Sequence, residues 1–202
     1  MSVKPKKQGR PPRSSATLSR ELIVKSSRDL LRQDGAIPSI RKVAGLLGVD
    51  AMAIYHYFPS KTALLEAIAL SLVGDIYQPT ASKDWAQELT RLCRSYLELL
   101  NNHSSLMENM LSLSVEGPAQ IFADRLEIAL SPLSLSQETF EQAVCLLADY
   151  LHGFALAMRC CKDDSQITLD MTNGPLRLFM NALIAISGEA SGRDDRLVTT
   201  ER

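Results

Sequence analysis

Glycine, proline and aromatic residues are all scarce in this chain: 10 Gly, 9 Pro and 5% aromatics among 202 residues. A β-sandwich or barrel needs many turns and aromatic-rich strands, so that class is disfavoured, and frequent Leu and Ala point to helices. No uninterrupted apolar run approaches the roughly 20 residues that span a bilayer. The segment Met1–Arg13 is basic, with no apolar stretch behind it, and does not read as a secretory signal. A cytoplasmic chain with no membrane partner is the expectation. The four cysteines are Cys93, Cys145, Cys160 and Cys161; none forms a Cys-x-x-Cys pair and no histidine stands at zinc-finger spacing from them. Cys93 and Cys145 fall in apolar helical patterns and are expected in the core. Nothing near Cys160 and Cys161 completes a redox or metal site. There is also no glycine-rich phosphate loop and no acid–base pair at useful spacing, so no enzyme activity, cofactor or metal is expected.

What is present is enough apolar material for a packed core, 46% hydrophobic against 22% charged residues, at a length of one large or two small domains. The net charge of −1 hides an asymmetry: residues 1–62 carry six Lys and six Arg against four acidic residues, and residues 63–202 carry ten basic against nineteen acidic. A basic end on an acidic body fits contact with a polyanion, although a solvated tail without a partner would show the same charge.

The apolar spacing is helical throughout. Residues 1–17 lack periodicity and contain three prolines, as expected of a flexible basic arm. Ser19 can cap a first helix that Gly35 stops, and Ser39 can cap a second, Ser39–Gly48. Asp50 can cap a third, AMAIYHYF, which Pro59 ends, and Ser60 can cap a fourth, 60–74. A linker over 74–83 precedes longer stripes: Trp85–Leu99, Phe122–Leu130, Phe140–Met158 and Leu176–Ile184. The last helices are expected at 136–161 and 173–187. The resulting division is an arm (1–17), a helix-turn-helix domain (18–64), a helical body (65–188) and a frayed tail (189–202).

The run Ser39–Lys61 carries the sharpest signal. Two short capped helices joined at a glycine have the grammar of a helix-turn-helix. In the second, Ile54 and Phe58 lie four apart and should face inward, leaving Met52, Ala53, Tyr55, His56 and Tyr57 toward solvent. Two tyrosines and a histidine on one exposed turn suit phosphate oxygens and base edges. Lys61 opens the next helix, where ammonium and helix dipole together favour a phosphate.

The stretch SIRKVAGLLGVDAMAIYHYFPSKTALLEAI resembles the TetR family of transcriptional regulators, above all in its Tyr-x-x-Phe-x-x-Lys signature, here Tyr55, Phe58 and Lys61. The resemblance covers residues 18–75 and continues more weakly to Met158 through Trp85, His103 and ADYLHGFALAM. Tyr57 stands where the family often has His. The resemblance implies an all-α fold with an N-terminal three-helix reading head and a larger C-terminal ligand-binding and dimerisation domain. It implies a dimeric, ligand-responsive repressor of a palindromic double-stranded DNA operator. The third helix would enter the major groove, with Ala51, Met52 and Ala53 facing bases and offering apolar contact to thymine methyls. Arg41, Tyr55, Tyr57 and Lys61 would hold the backbone, with Ser39 at the head of the preceding helix and His56 as an indirect contact.

In the arm, Gly9-Arg10-Pro11 resembles the core of an AT-hook, so Arg10 would enter a minor groove; a generic basic tail that only raises affinity accounts for the same residues. The family implies a homodimer through the helices at 136–161 and 173–187. Gly153, inside the first of these, costs about 1 kcal/mol relative to Ala, which close approach of another helix would explain. The family also implies a pocket for an unknown small-molecule effector. Its candidate lining on α-helical stripes is Trp85, Tyr96, His103, Met107 and Met110, then Phe122, Tyr150, His152 and Phe154, although core packing would place the same residue types there. An all-α carrier or enzyme with a basic tail, and a ligand-independent architectural DNA binder, are the competing readings.

If Lys61 neutralises a phosphate, Lys61→Ala lowers the log–log salt slope of DNA binding by roughly one per half-site and weakens all sequences about equally. Titrations across a salt series read this, and an unchanged slope rejects the phosphate role.

Overall fold

The computed structural model describes residues 17–103, 116–160 and 167–198; Arg10, Met107, Met110 and Cys161 lie outside them. The described residues are all-α. The helices are α1 (Arg20–Asp34), α2 (Ile40–Leu47), α3 (Ala51–Tyr55), α4 (Lys61–Val73) and α5 (Trp85–Asn102), then α6 (Glu116–Leu130), α7 (Gln137–Cys160) and α8 (Asn173–Val198). Short 3-10 turns at Ser131–Leu133 and Leu169–Thr172 precede α7 and α8.

The head forms from local rules. Ser19 Oγ accepts from Leu22 N at 3.2 Å, Ser39 Oγ from Lys42 N at 3.2 Å, Asp50 Oδ1 from Met52 N at 2.8 Å and Ser60 Oγ from Ala63 N at 3.0 Å. Each satisfies an amide that the first turn leaves open. Gly35 and Gly48 close α1 and α2 at φ 66° and 69°, where a Cβ would be strained. α1, α2 and α4 then enclose Ile23, Leu31, Val43, Ile54, Phe58 and Leu64, all fully buried. In the body, α5 packs on α6 and α7, and α6 also lies along α4.

Two departures from expectation have simple causes. Cys93 is buried as expected, but Cys145 is exposed: it lies beside Leu146 on a face of α7 left open among the described residues. The last helix continues past Ser187 to Val198, because the polar residues there break the apolar stripe without containing a proline. Among the described residues, nothing beyond its own stretch of helix lies within 4 Å of where a Cβ on Gly153 would stand. By length and composition α7 is long and apolar enough to cross a membrane, with a mean hydropathy of 1.3 over 18 residues, of which 22% are buried in the protomer. Its charged residues include Glu138, Glu141 and Asp149, and its inward line of Ala143, Leu147, Leu151 and Ala155 is committed to the core.

The connection between α4 and α5 is tied down at both ends. Glu88, almost fully buried in α5, accepts from Thr80 N at 2.7 Å, from Thr80 Oγ1 at 3.3 Å and from Tyr77 Oη at 3.0 Å. Arg91 flanks it at 3.5 Å. The Thr80 amide, then the Tyr77 and Thr80 hydroxyls and the Arg91 charge, hold the Glu88 carboxyl below its ordinary value of 4.5 against the opposing effect of burial.

A carboxyl lowered by folding adds stability above its unfolded value and loses it as pH falls through the folded one. Wild-type stability should therefore drop with acid below about pH 4.5 partly through this group. Glu88→Gln should be less stable near neutrality and show a flatter acid limb in denaturant titrations. Parallel acid limbs would refute the assignment.

Candidate nucleic-acid interface

A helix of five residues cannot hold itself together, because nucleation outweighs so few hydrogen bonds. α3 is held by its surroundings. Ile54 within it and Phe58 just beyond are both fully buried, each worth roughly 1.5–3 kcal/mol. The helix ends at Tyr55, earlier than its apolar spacing predicts, and His56 and Tyr57 form a turn that swings Phe58 into the core.

That turn places Tyr57 differently from the free, solvent-facing position expected. Its side chain is half-buried rather than free, and its hydroxyl donates to the Leu18 carbonyl at 2.7 Å. Arg20 completes a clasp: its guanidinium donates to the Tyr57 carbonyl and lies over the Phe58 ring, 4.3 Å from the centroid. The end of α3 is thus pinned to the start of α1 through both backbone and side chain. Sequence reasoning passed over Arg20; a cation at the entrance of the first helix was the available signal. On the other flank Lys42 pairs with Asp34 at 2.6 Å and ties α2 to the end of α1.

What remains outward is a compact polar and apolar array. Met52 is 64% exposed and Tyr55 40%. His56, Ser39, Arg41 and Lys61 are exposed, while Ala51 and Ala53 are half-buried, with Ala51 packed against the core. Arg41 on α2 and Lys61 at the first position of α4 therefore flank α3, and the Ser39 hydroxyl is engaged as the α2 cap. The array offers two cations, a phenol and a thioether from a scaffold whose positions are fixed by burial, which suits a phosphate-flanked groove.

Among the described residues, the candidate effector residues fall into separate groups. Tyr96, Phe122 and His152 do meet: the Tyr96 and Phe122 rings lie tilted at 34° with centroids 4.6 Å apart, and Tyr96 Oη lies 3.0 Å from His152 Nε2. Burial pushes the Tyr96 phenol up to about 12 and, despite the Ala148 carbonyl, holds the His152 imidazole below its ordinary value. The phenol and the imidazole share one hydrogen bond there, its direction set by the imidazole tautomer. Tyr150 and Phe154 pair at 6.0 Å, and Tyr150 also borders an apolar groove between α7 and α8. The Tyr150 hydroxyl is buried without a partner among the described residues. Trp85 opens α5 and His103 follows its last residue, so they stand at opposite ends of a helix roughly 27 Å long. His103 lies in a separate polar groove with Arg28, Arg32 and Asp75, where burial and then the two arginines hold its imidazole below the ordinary value.

Comparison with known proteins covers both parts of the chain. The family model for bacterial regulatory proteins, tetR family, matches residues 23–68, and that for the tetracyclin repressor-like C-terminal domain matches residues 78–182. A curated relative, the HTH-type transcriptional repressor DrrR1 of Streptomyces coeruleorubidus, is 26% identical over 156 residues. That alignment covers 74% of this chain, which spans little more than half (56%) of that relative's length. Among solved structures, apo ActR from Streptomyces coelicolor has a TM-score of 0.76 at 18% identity, covering 88% of this chain and all of that one. BioQ with its natural double-stranded DNA operator has a TM-score of 0.66 at 21% identity, covering 84% of this chain and 99% of that one. At these identities the structural likeness is one of fold.

Removing the Tyr57 hydroxyl should loosen the clasp without opening the core. Tyr57→Phe is expected to lose about 1 kcal/mol of stability and to speed amide exchange over residues 55–58. Exchange–mass spectrometry checks this; a variant with unaltered exchange there would show that Tyr57 does not tether α3.

Proposed function

The chain belongs to the TetR family of bacterial regulatory proteins, and from that premise we propose that it is a sequence-specific, DNA-binding transcriptional repressor that acts as a homodimer. The observation that carries this reading is α3 itself: a five-residue helix secured by buried side chains behind it and by the Tyr57–Arg20 clasp, with Met52 and Tyr55 exposed between Arg41 and Lys61. Among the described residues, nothing covers Met52 on its outer face, and Tyr55 is only partly covered. In this reading α3 enters the major groove. Met52, with Ala51 and Ala53 beneath it, meets thymine methyls, Arg41, Tyr55 and Lys61 meet phosphates, and His56 contributes indirectly. Tyr57 acts by holding the helix rather than by touching the duplex. The basic arm with Arg10 adds affinity, in the minor groove if its Gly-Arg-Pro core acts as an AT-hook.

Apolar surface left open among the described residues supports the dimer. Leu146 and Leu156 on α7 and Leu178, Ile184 and Ile186 on α8 are all about half exposed or more. Between the two helices runs an apolar groove of about 320 Å³, bordered by Leu146, Tyr150, Leu178 and Phe179. A second copy laid across α7 and α8 would cover this face, account for Gly153 by close approach, and remove the membrane-like character of α7 from solvent. A soluble, cytoplasmic dimer is the state this supports. The body would house the small-molecule effector near Tyr96, Phe122 and His152, where aromatic faces and a polar pair meet. An effector releases DNA only by binding better to the form whose α3 helices are wrongly spaced. The chemistry proposed is binding alone, with no catalytic step and no cofactor.

Selection from a random duplex pool tests the central reading. The expected product is an inverted repeat whose half-sites lie about one helical turn apart, roughly 34–36 Å. No enrichment favours a carrier or enzyme, and salt-sensitive binding with little sequence preference favours an architectural protein. Leu178→Arg should convert the dimer to a monomer by sedimentation and weaken operator binding at least about tenfold, since one head makes half the contacts.

A further inference from the structure

We propose that Arg125 is a positioning residue for the reading head: from the body, it grips the carboxyl end of α4 and so sets where α1–α3 stand. The proposal rests on the DNA-binding reading above only for its functional consequence.

Arg125 projects from α6 and is 9% exposed. Its Nη1 donates to the carbonyls of Val73 at 3.2 Å and Ile76 at 2.6 Å, and its Nη2 donates to that of Gly74 at 2.6 Å. Among the described residues no carboxylate forms an ion pair with it. A guanidinium this deep is expensive to desolvate, and here its charge is met by backbone dipoles. They are the right dipoles, because a helix ends in carbonyls without intrahelical partners and a partial negative charge. The planar fork reaches three oxygens at once, which an ammonium on a single stem does less well.

The same stretch is held from the opposite side. Arg28 of α1 donates to the Asp75 carboxylate and to Ser71 Oγ, the latter at 2.8 Å. Residues 71–76 therefore sit between two arginines, one from the head and one from the body. At the start of α6 the helices come close as well: a Cβ on Gly117 would stand 3.2 Å from Leu70 Cδ1. The angle between head and body is thus set by the grip of Arg125, from α6, on the end of α4 rather than left to the 74–84 connection. In a dimer, that angle fixes the separation of the two α3 helices.

The 202-residue chain is compared with its Arg125→Met and Arg125→Lys variants by thermal melting, hydrogen exchange without DNA, and titration of the selected duplex across a salt series. Arg125→Met should exchange at least tenfold faster over residues 70–77, with α5 and α7 unchanged. It should bind the duplex at least tenfold more weakly with the log–log salt slope unaltered, because no phosphate contact is lost. Arg125→Lys should fall between it and the wild type in both readouts, and decides the matter if the Met variant does not fold. Unchanged exchange over 70–77 overturns the proposal. So does a slope lowered by about one, which would mark a direct phosphate contact, or an affinity loss matched by the unfolded fraction. A wild-type chain that selects no duplex removes the DNA reading alone, and the exchange result then decides whether Arg125 holds α4.

Discussion

Burial of Ile54 and Phe58 is the constraint on which the head depends. α3 is too short to persist in water, so its existence and direction are borrowed from the socket that α1, α2 and α4 build around those two side chains. The caps at Ser19, Ser39, Asp50 and Ser60 bring four chain segments to that socket in the right order. Once Ile54 and Phe58 point inward, helical geometry leaves Met52 and Tyr55 facing out. The interface is therefore a by-product of the core, and the clasp of Tyr57 and Arg20 is what limits its residual freedom.

Polar groups buried at the junction have a different task from the apolar core. Glu88 fastens residues 77–80 to α5, and Arg125 fastens residues 73–76 to α6. Apolar packing is tolerant of small shifts, whereas a carboxylate with three donors or a guanidinium with three acceptors accepts few geometries. A connection that looks like a linker in composition is consequently one of the more constrained parts of the backbone.

Among the described residues, α7 and α8 are packed on one side and open on the other. α5, α6 and the inner line of α7 share a core containing Leu89, Leu92, Leu97, Leu126, Leu147 and Leu151. The outer faces of α7 and α8 keep Leu146, Leu178 and Ile184 in solvent, more apolar surface than scattered single residues would leave. The same asymmetry explains why Cys145, read as a core residue, is exposed: a stripe of apolar residues shows that a face will be covered, not by which chain.

Local features were legible because they rest on contacts a few residues apart. Helix spacing, four N-caps, the glycine stops at Gly35 and Gly48, the inward Ile54 and Phe58 and the outward Met52, Tyr55 and Lys61 all follow from period and capping chemistry. The tertiary structure alone decided the bonds between segments distant in the chain. The Tyr57 hydroxyl reaches a carbonyl 39 residues earlier, and Arg125 reaches back 49 to 52 residues. It likewise separated His103 from the Tyr96–His152 pair, although all three were equally eligible for one pocket by residue type. Periodicity specifies which face of a helix is apolar, and partners across the fold are chosen only when those faces pack.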